Sequence, residues 1–317
     1  MHLNLSYRWF CKLDLTDPIP DHSTFSKNRH GRFRDSDLFR QVFESVVASC
    51  LDAGLASGQR LAADASIIAA DANRQNSARQ EDRDPDTIDP NDVPRAVREY
   101  LETLDDAAFG AASPVTPKYT SHSDPASQWT GARGGPAYFA YSANYLIDTD
   151  NAVILDVEAT RSIRQAEVGA VQTMVDRIAD THAIKPERLI ADTAYGTGSM
   201  LDWLVERRGI SPHIPVFDKS ARRDGTFERA DFTYDAGNDL YICPDGKELK
   251  QYRRPFKSPR SGPNKDQKLR YRARKSDCDA CSLKPRCCPK EPQRKVTRSI
   301  YEGSRDDART LAQTRQY

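Results

Sequence analysis

LIADTAYGTGSM, Leu189 to Met200, decides how this chain is read. A short apolar run stops on Asp192 and passes through small residues into what reads as a helix start. A lone aspartate at such a place ordinarily shapes a turn, because its carboxylate accepts backbone N–H groups at strand ends and helix starts. A second carboxylate set the same way changes that reading, and RLAADASIIAADA, Arg60 to Ala72, supplies one. There Leu61 to Ala63 forms a second short apolar run that stops on Asp64.

Between and around these two stretches the periodicity alternates. Tyr138–Leu146 and Val153–Glu158 read as paired strands joined by a polar turn around Asp148 to Asn151. Val168, Val171, Val175 and Ile178 form the apolar stripe of a helix from about Gln165 to Thr181. After Asp192 comes another helix, with Ser199 and Asp202 at capping-box spacing and Gly209 as its stop, then a strand near His213 to Val216. Such an order predicts an α/β fold, a mixed sheet flanked by helices, in which ligands sit beyond the carboxyl ends of parallel strands. Asp64 and Asp192 are expected to meet there. Hard divalent cations take oxygen ligands, and phosphoryl transfer often uses two such ions to stabilise the attacking and leaving oxygens. Two aspartates on neighbouring strands would supply two of the three carboxylates this needs.

The N-terminal part is expected to be helical. YRWFCKLDLTDPIPDHSTFSKNRHGRF reads as a helix end, a Pro-marked turn and a short helix begun by Asp21 or Ser23. Ser23, Lys27, Asn28 and Arg29 on that second helix suggest a helix-turn-helix-like DNA contact. Leu38, Val42, Val46 and Cys50, with Phe39, Phe43 and Val47, recur at helical spacing up to Gly54 and read as core packing. From about 74 to 137 the chain is polar and rich in Asp and Pro. One amphipathic helix there carries Val93, Val97, Leu101, Leu104 and Ala108 on a face, and the whole stretch reads as an insertion.

The 317 residues carry a net charge of +1, which hides an asymmetry. Lys247 to Arg298 holds 18 Lys and Arg against 5 Asp and Glu, so a basic segment sits in an otherwise acidic chain. Such a patch favours phosphate backbones, with Arg253, Arg254, Lys257, Arg270 and Arg272 as its expected DNA contacts; the alternative is a solvated basic loop. Tyr252, Phe256 and Tyr271, interleaved, are placed either to stack on bases or to pack against the body of the protein. No apolar run approaches the roughly 18 to 20 residues needed to cross a bilayer. The start, MHLNLSYRWFCKL, lacks the order of a signal peptide, so a cytoplasmic protein without a membrane partner is expected.

Of seven cysteines, Cys11 and Cys50 fall in apolar helical settings. The other five cluster: Cys243 in YICPDGK, and Cys278, Cys281, Cys287 and Cys288 in CDACSLKPRCC. Cys243, Cys278, Cys281 and Cys287 make a four-thiolate set suited to a structural Zn2+ site, with Cys288 spare or alternative. Reduced cysteines in a loose basic loop are the competing reading.

These residues together carry a resemblance. The chain resembles bacterial insertion-sequence transposases of the DDE type, which have an RNase H-like catalytic domain. ADASIIAADA looks like that family's first-aspartate strand, and ADTAYG like its A-D-x-G-Y motif, with Asp192 and Tyr195 in place. PDHSTFSKNR, Pro20 to Arg29, resembles a segment ahead of the catalytic domain, and FAYSANYLIDTDNAVILDVEATR the central hairpin. Ala65 and Ala194 stand where the family usually has glycine.

The resemblance implies an organisation of four parts: a helical DNA-binding-like segment at 1–58, a catalytic core at 59–217, a basic Cys-rich insertion at 218–300 and the start of a C-terminal part at 301–317. It also implies Asp64 and Asp192 as catalytic ligands of Mg2+ or Mn2+, a zinc-binding insertion, and double-stranded DNA as partner with further copies of the chain on it. The family's third acid is a glutamate on a helix downstream of the basic insertion. No such context precedes Tyr317, and Glu302 sits too early. The chain is therefore expected to be truncated at both ends and weak in strand transfer, with a silent DNA-binding remnant and a two-metal nuclease as the other readings.

Overall fold

The computed structural model describes residues 5–21, 23–24, 27–28, 31–33, 36–79, 118–131, 135–218, 224–251, 262–264 and 267–314. It divides into two units, Met1–Ala56 and Ser57–Tyr317. The first unit opens with helix α1, Leu5–Phe10. Arg8 of α1 is buried, and its guanidinium donates to the carbonyls of Asp14 and, at 3.0 Å, Asp17, pinning the turn that follows. Ser23, Thr24, Lys27 and Asn28 are helical, Lys27 is exposed, and Asn28 donates to the Thr24 carbonyl at 2.9 Å. Arg29 lies outside the described residues.

Helix α2, Leu38–Asp52, ends before Gly54, whose positive φ of 69° suits a residue without Cβ. Its apolar stripe is not the core expected of it. Val47 is buried, but Leu38, Phe39, Val42 and Val46 are exposed.

The second unit is built on a six-stranded mixed sheet. Strand β1 is Arg60–Ala69; a small ladder of β2, Ser77–Arg79, with β3, Tyr119–Ser121, stands apart from the sheet. Then come β4, Gln128–Thr130, β5, Tyr138–Asp148, and β6, Val153–Arg161. Helix α3, Arg164–His182, leads to β7, Arg188–Ile190. Helix α4, Gly198–Asp202, widens into a π-type turn, Trp203–Arg208, that Gly209 closes at φ 66° before β8, Ser211–His213.

β1 lies at the centre of this sheet, antiparallel to β5 from Leu61↔Asp148 through Ala69↔Ala140, and parallel to β7, which is parallel to β8. β6 and β4 pair with the other edge of β5. Residues opposite one another in a ladder share a face. Leu61, Ala63, Asn144, Ser142 and Leu146 thus form the buried face, on which α3 lays Val171, Met174, Val175 and Ile178. The opposite face carries Asp64.

Several expectations need correction. β1 does not stop at Asp64 but runs five residues further, because its pairing with β5 continues to Ala69. The cap of α4 is Thr197, whose hydroxyl accepts from Met200 N, and not Ser199. β8 begins at Ser211, two residues before the expected start. The amphipathic helix expected around Val93 to Ala108 lies outside the described residues.

The described part of the basic segment is no loose loop. It contributes most of a five-stranded antiparallel sheet in simple up-and-down order. The strands are β9, Thr233–Asp235, β10, Leu240–Ile242, β11, Glu248–Gln251, β12, Lys268–Arg272, and, after short helices α5, Lys275–Asp279, and α6, Lys284–Cys287, β13, Lys295–Ser299. One face has its own core of Phe232, Tyr241, Leu249, Tyr271 and Val296 with Cys278, Cys287 and Cys288. Tyr271 is fully buried there and donates its hydroxyl to Asp239 at 2.5 Å, so it does not stack on a nucleic acid. A last helix, α7, Glu302–Leu311, packs on α4 and β8.

Candidate active site

The sheet register sets the two aspartates against each other. Ala62 of β1 pairs with Ile190 of β7, and continuing that pairing by two residues puts Asp192 level with Asp64 and, by alternation, on the same face. Parallel neighbours lie about 4.8 Å apart, so carboxylates in this relation are within reach of a common ion. Asp192 is still extended, at φ −75° and ψ 176°, and Ala191 still donates to His213 of β8 at 3.4 Å. Asp64 thus lies within its strand and Asp192 just past the end of a shorter one. Both side chains are exposed.

Each carboxylate is also steadied locally. Asp64 Oδ1 accepts from Ala65 N at 2.8 Å, and Asp192 Oδ1 from Ala194 N at 2.7 Å, capping the short turn Thr193–Tyr195. The turn-shaping role of Asp192 is therefore present, and it occupies one of two oxygens. Tyr195 closes the turn and is buried. Burial pushes its phenol above the ordinary tyrosine range, and the negative charges of Glu167, Asp192 and Asp64 push it further. All three acids thus lie within electrostatic reach of one hydroxyl. Glu167 is engaged by the Ser142 hydroxyl at 2.7 Å. Gly196 completes the motif because nothing larger fits: a Cβ there would sit 2.0 Å from the Pro215 carbonyl oxygen, and Gly196 O accepts from Phe217 N at 2.8 Å.

Glu302 is otherwise committed. It is buried at the start of α7 among Arg229, Arg305 (3.2 Å) and Arg309 (2.9 Å), and Asp218 shares Arg229 and Arg309 at 3.1 and 2.7 Å. Burial alone would raise the Glu302 pKa, but the guanidinium charges hold it below the ordinary carboxylate value.

Cys243, Cys278, Cys281, Cys287 and Cys288 all line one cavity of about 20 Å³ in the second sheet's core. Lys247 N donates to the Cys243 sulfur at 3.3 Å, and Arg294 N to that of Cys278. Cys288, which the spacing leaves spare, lies in the same cavity and adds to burial in raising the thiol pKa of both Cys278 and Cys287. Burial first, then Cys288, pushes the Cys287 thiol up to about 12. Among the described residues no three His, Cys, Asp or Glu side chains are gathered closely enough to hold a metal ion, at the cysteines or at the aspartates.

Of the expected DNA contacts, Arg270 and Arg272 lie on β12, while Arg253, Arg254 and Lys257 lie outside the described residues. Among the described residues no helix is long and apolar enough to cross a membrane.

Comparison with known families places most of the chain. A model described as a transposase DDE domain matches residues 112–313, and one described as a transposase domain (DUF772) matches residues 1–31. The chain belongs to the transposase DDE domain family. No curated protein and no solved structure matches it. As a DDE-family transposase it brings Asp192 inside the matched span, whereas Asp64 precedes it.

Proposed function

We propose that this chain is an insertion-sequence transposase in which Asp64 and Asp192 are two of the side chains that hold divalent cations, Mg2+ or Mn2+, for cleavage and joining of DNA. What supports the reading is the parallel register of β1 with β7: Ala62 pairs with Ile190, and carrying it on by two residues would bring two acids 128 positions apart in the sequence level on one face. The strand order β6-β5-β1-β7-β8, with an antiparallel half and a parallel half, supports an RNase H-like catalytic domain. Bound cations supply Lewis-acid charge at a DNA phosphate. The chain's own part is to hold and orient: one oxygen of each aspartate is tied to a backbone N–H, which leaves the other for an outside ligand. The partners are transposon-end and target duplexes, with further copies of the chain assembled on them.

A second reading has its own support. Among the described residues no third acid joins the pair, and Glu302 is consumed by arginines. Residues 1–317 on that account bind DNA but transfer strands poorly. A two-metal nuclease would explain the aspartates and leave the transposase family match unexplained. Calorimetric titration with Mn2+, alongside cleavage of transposon-end DNA, tests these together. Wild type should bind Mn2+ weakly, and Asp64→Asn and Asp192→Asn should each weaken it at least about tenfold, the effect of losing one ligand. Unchanged binding in both variants would remove the site. Cleavage by residues 1–317 that both variants abolish would remove the silent reading.

We further infer a structural zinc ion held by Cys243, Cys278, Cys281 and Cys287, with Cys288 as alternative to Cys287. Five cysteines lining one cavity and backbone N–H groups at two of the sulfurs support this reading, which requires the thiols to draw closer than they stand and to give up their protons to the cation. Metal analysis should find about one zinc per chain. Far less than that, with structure unaltered by a chelator, would end this reading.

A further inference from the structure

The second sheet has two unlike faces. Tyr241, Leu249, Tyr271 and Val296 point into its core. On the other side of the same strands, Lys250 pairs with Arg272 and Arg272 with Lys295, while Arg270 pairs with Thr297 and Lys268 with Ser299. Opposed residues share a face, so five cations, Lys250, Lys268, Arg270, Arg272 and Lys295, stand together opposite the core. Lys268 and Arg270 are exposed. Lys250 reaches Glu248 at 2.8 Å and Lys295 reaches Glu291 at 2.9 Å, both across exposed pairs of the kind that contributes little and exchanges readily for another anion.

We propose that this face of β11, β12 and β13 binds the sugar-phosphate backbone of duplex DNA. The proposal rests on the transposase reading and adds to it the surface that does the binding. Cations two residues apart along β12 are spaced about 6.8 Å, and neighbouring strands about 4.8 Å, so the array extends over several phosphates of a duplex that carries one charge per roughly 1.7 Å of axis. An exposed aromatic is missing from this face among the described residues of the three strands, because Tyr271 is turned inward. Single strands are held by bases stacked on such rings, so the chemistry favours a duplex gripped by its phosphates.

The test is anisotropy of a labelled duplex with the full chain across a salt series, for wild type and Lys268→Gln/Arg270→Gln. The double variant should lower the slope of log affinity against log salt by about 1.8, two phosphates at 0.9 each. The charge-retaining pair Lys268→Arg/Arg270→Lys should restore it. Lys185→Gln/Arg207→Gln, at exposed positions after α3 and in the π-type turn after α4, outside the second sheet, should leave the slope as it was. Salt-dependent duplex binding that Lys268→Gln/Arg270→Gln does not alter, or that both Gln pairs reduce alike, overturns the proposed surface and leaves the transposase reading standing. Absence of duplex binding by wild type overturns the surface and the DNA-acting reading with it.

Discussion

The two sheets of the second unit use the same strand geometry for different ends. The central sheet mixes parallel and antiparallel pairs, and the parallel neighbour β7, reached through the crossover helix α3, is what the proposed pairing of Asp192 with Asp64 depends on. The second sheet is a local antiparallel meander, and what it juxtaposes is near in sequence, cations on one side and cysteines under the other. The first sheet is held together by long-range pairing; the second builds a broad positive face from short-range pairing. Opposite charge on separate sheets is what the proposed function requires, with metal cations at one and DNA phosphates at the other.

This contrast can be broken from the second sheet first. Tyr271→Ala removes a fully buried ring that meets Tyr241 at 5.2 Å, together with its hydrogen bond to Asp239, and it should cost about 4 kcal/mol. Hydrogen exchange should accelerate across β10 to β13 and stay slow in β1 and β5; equal acceleration in both would mean that the two sheets unfold as one body. Next comes the joint between them. Glu302→Gln leaves three arginines around a neutral group and should cost about 3 kcal/mol, the usual penalty of breaking a buried ionic cluster. Chemical denaturation should show it; a change below about 0.5 kcal/mol would place the joint elsewhere.

The smallest effect belongs to the central sheet. Asp148 is buried at the end of β5 and accepts from Ser57 N at 3.0 Å, Gly58 N at 2.7 Å and Asp150 N at 2.9 Å. Burial raises its pKa, and the backbone donors, Gly58 first, outweigh burial and hold it below the ordinary value of 3.8. A depressed carboxyl stabilises the fold above its unfolded pKa, and that contribution is lost as pH falls through the folded one. Asp148→Asn should therefore cost about 2 kcal/mol at neutral pH and flatten the loss of stability on acidification below pH about 4. An acid limb identical to that of wild type would contradict the assignment.

How much of this was legible in the sequence follows the range of the interactions. The β5–β6 hairpin and α3 stand out because alternation and the Val171–Ile178 stripe are local signals. The overrun of β1 past Asp64 is not local, since only pairing with β5 keeps Ser66 to Ala69 extended. The cap of α4 was ambiguous because Thr197 and Ser199 both offer a hydroxyl, and backbone geometry chose between them. The strands of the basic segment are short, and charge obscured their alternation, although KLRYR at Lys268–Arg272 does alternate. Counting cysteine spacings left Cys288 aside, whereas packing buries it in one core with Cys278 and Cys287. Asp148 read as a turn residue; its role depends on Gly58, about 90 positions earlier, whose positive φ of 69° brings the N–H to it.

The most direct test of the central claim is a crystal structure of the full chain grown with Mn2+, with the metal located by its anomalous signal. The account predicts a peak between residues 64 and 192 with a carboxylate oxygen of each about 2.1 Å from the metal, on the sheet face opposite α3. Ordered Mn2+ bound elsewhere, with the two side chains directed to opposite faces of the sheet, would contradict it.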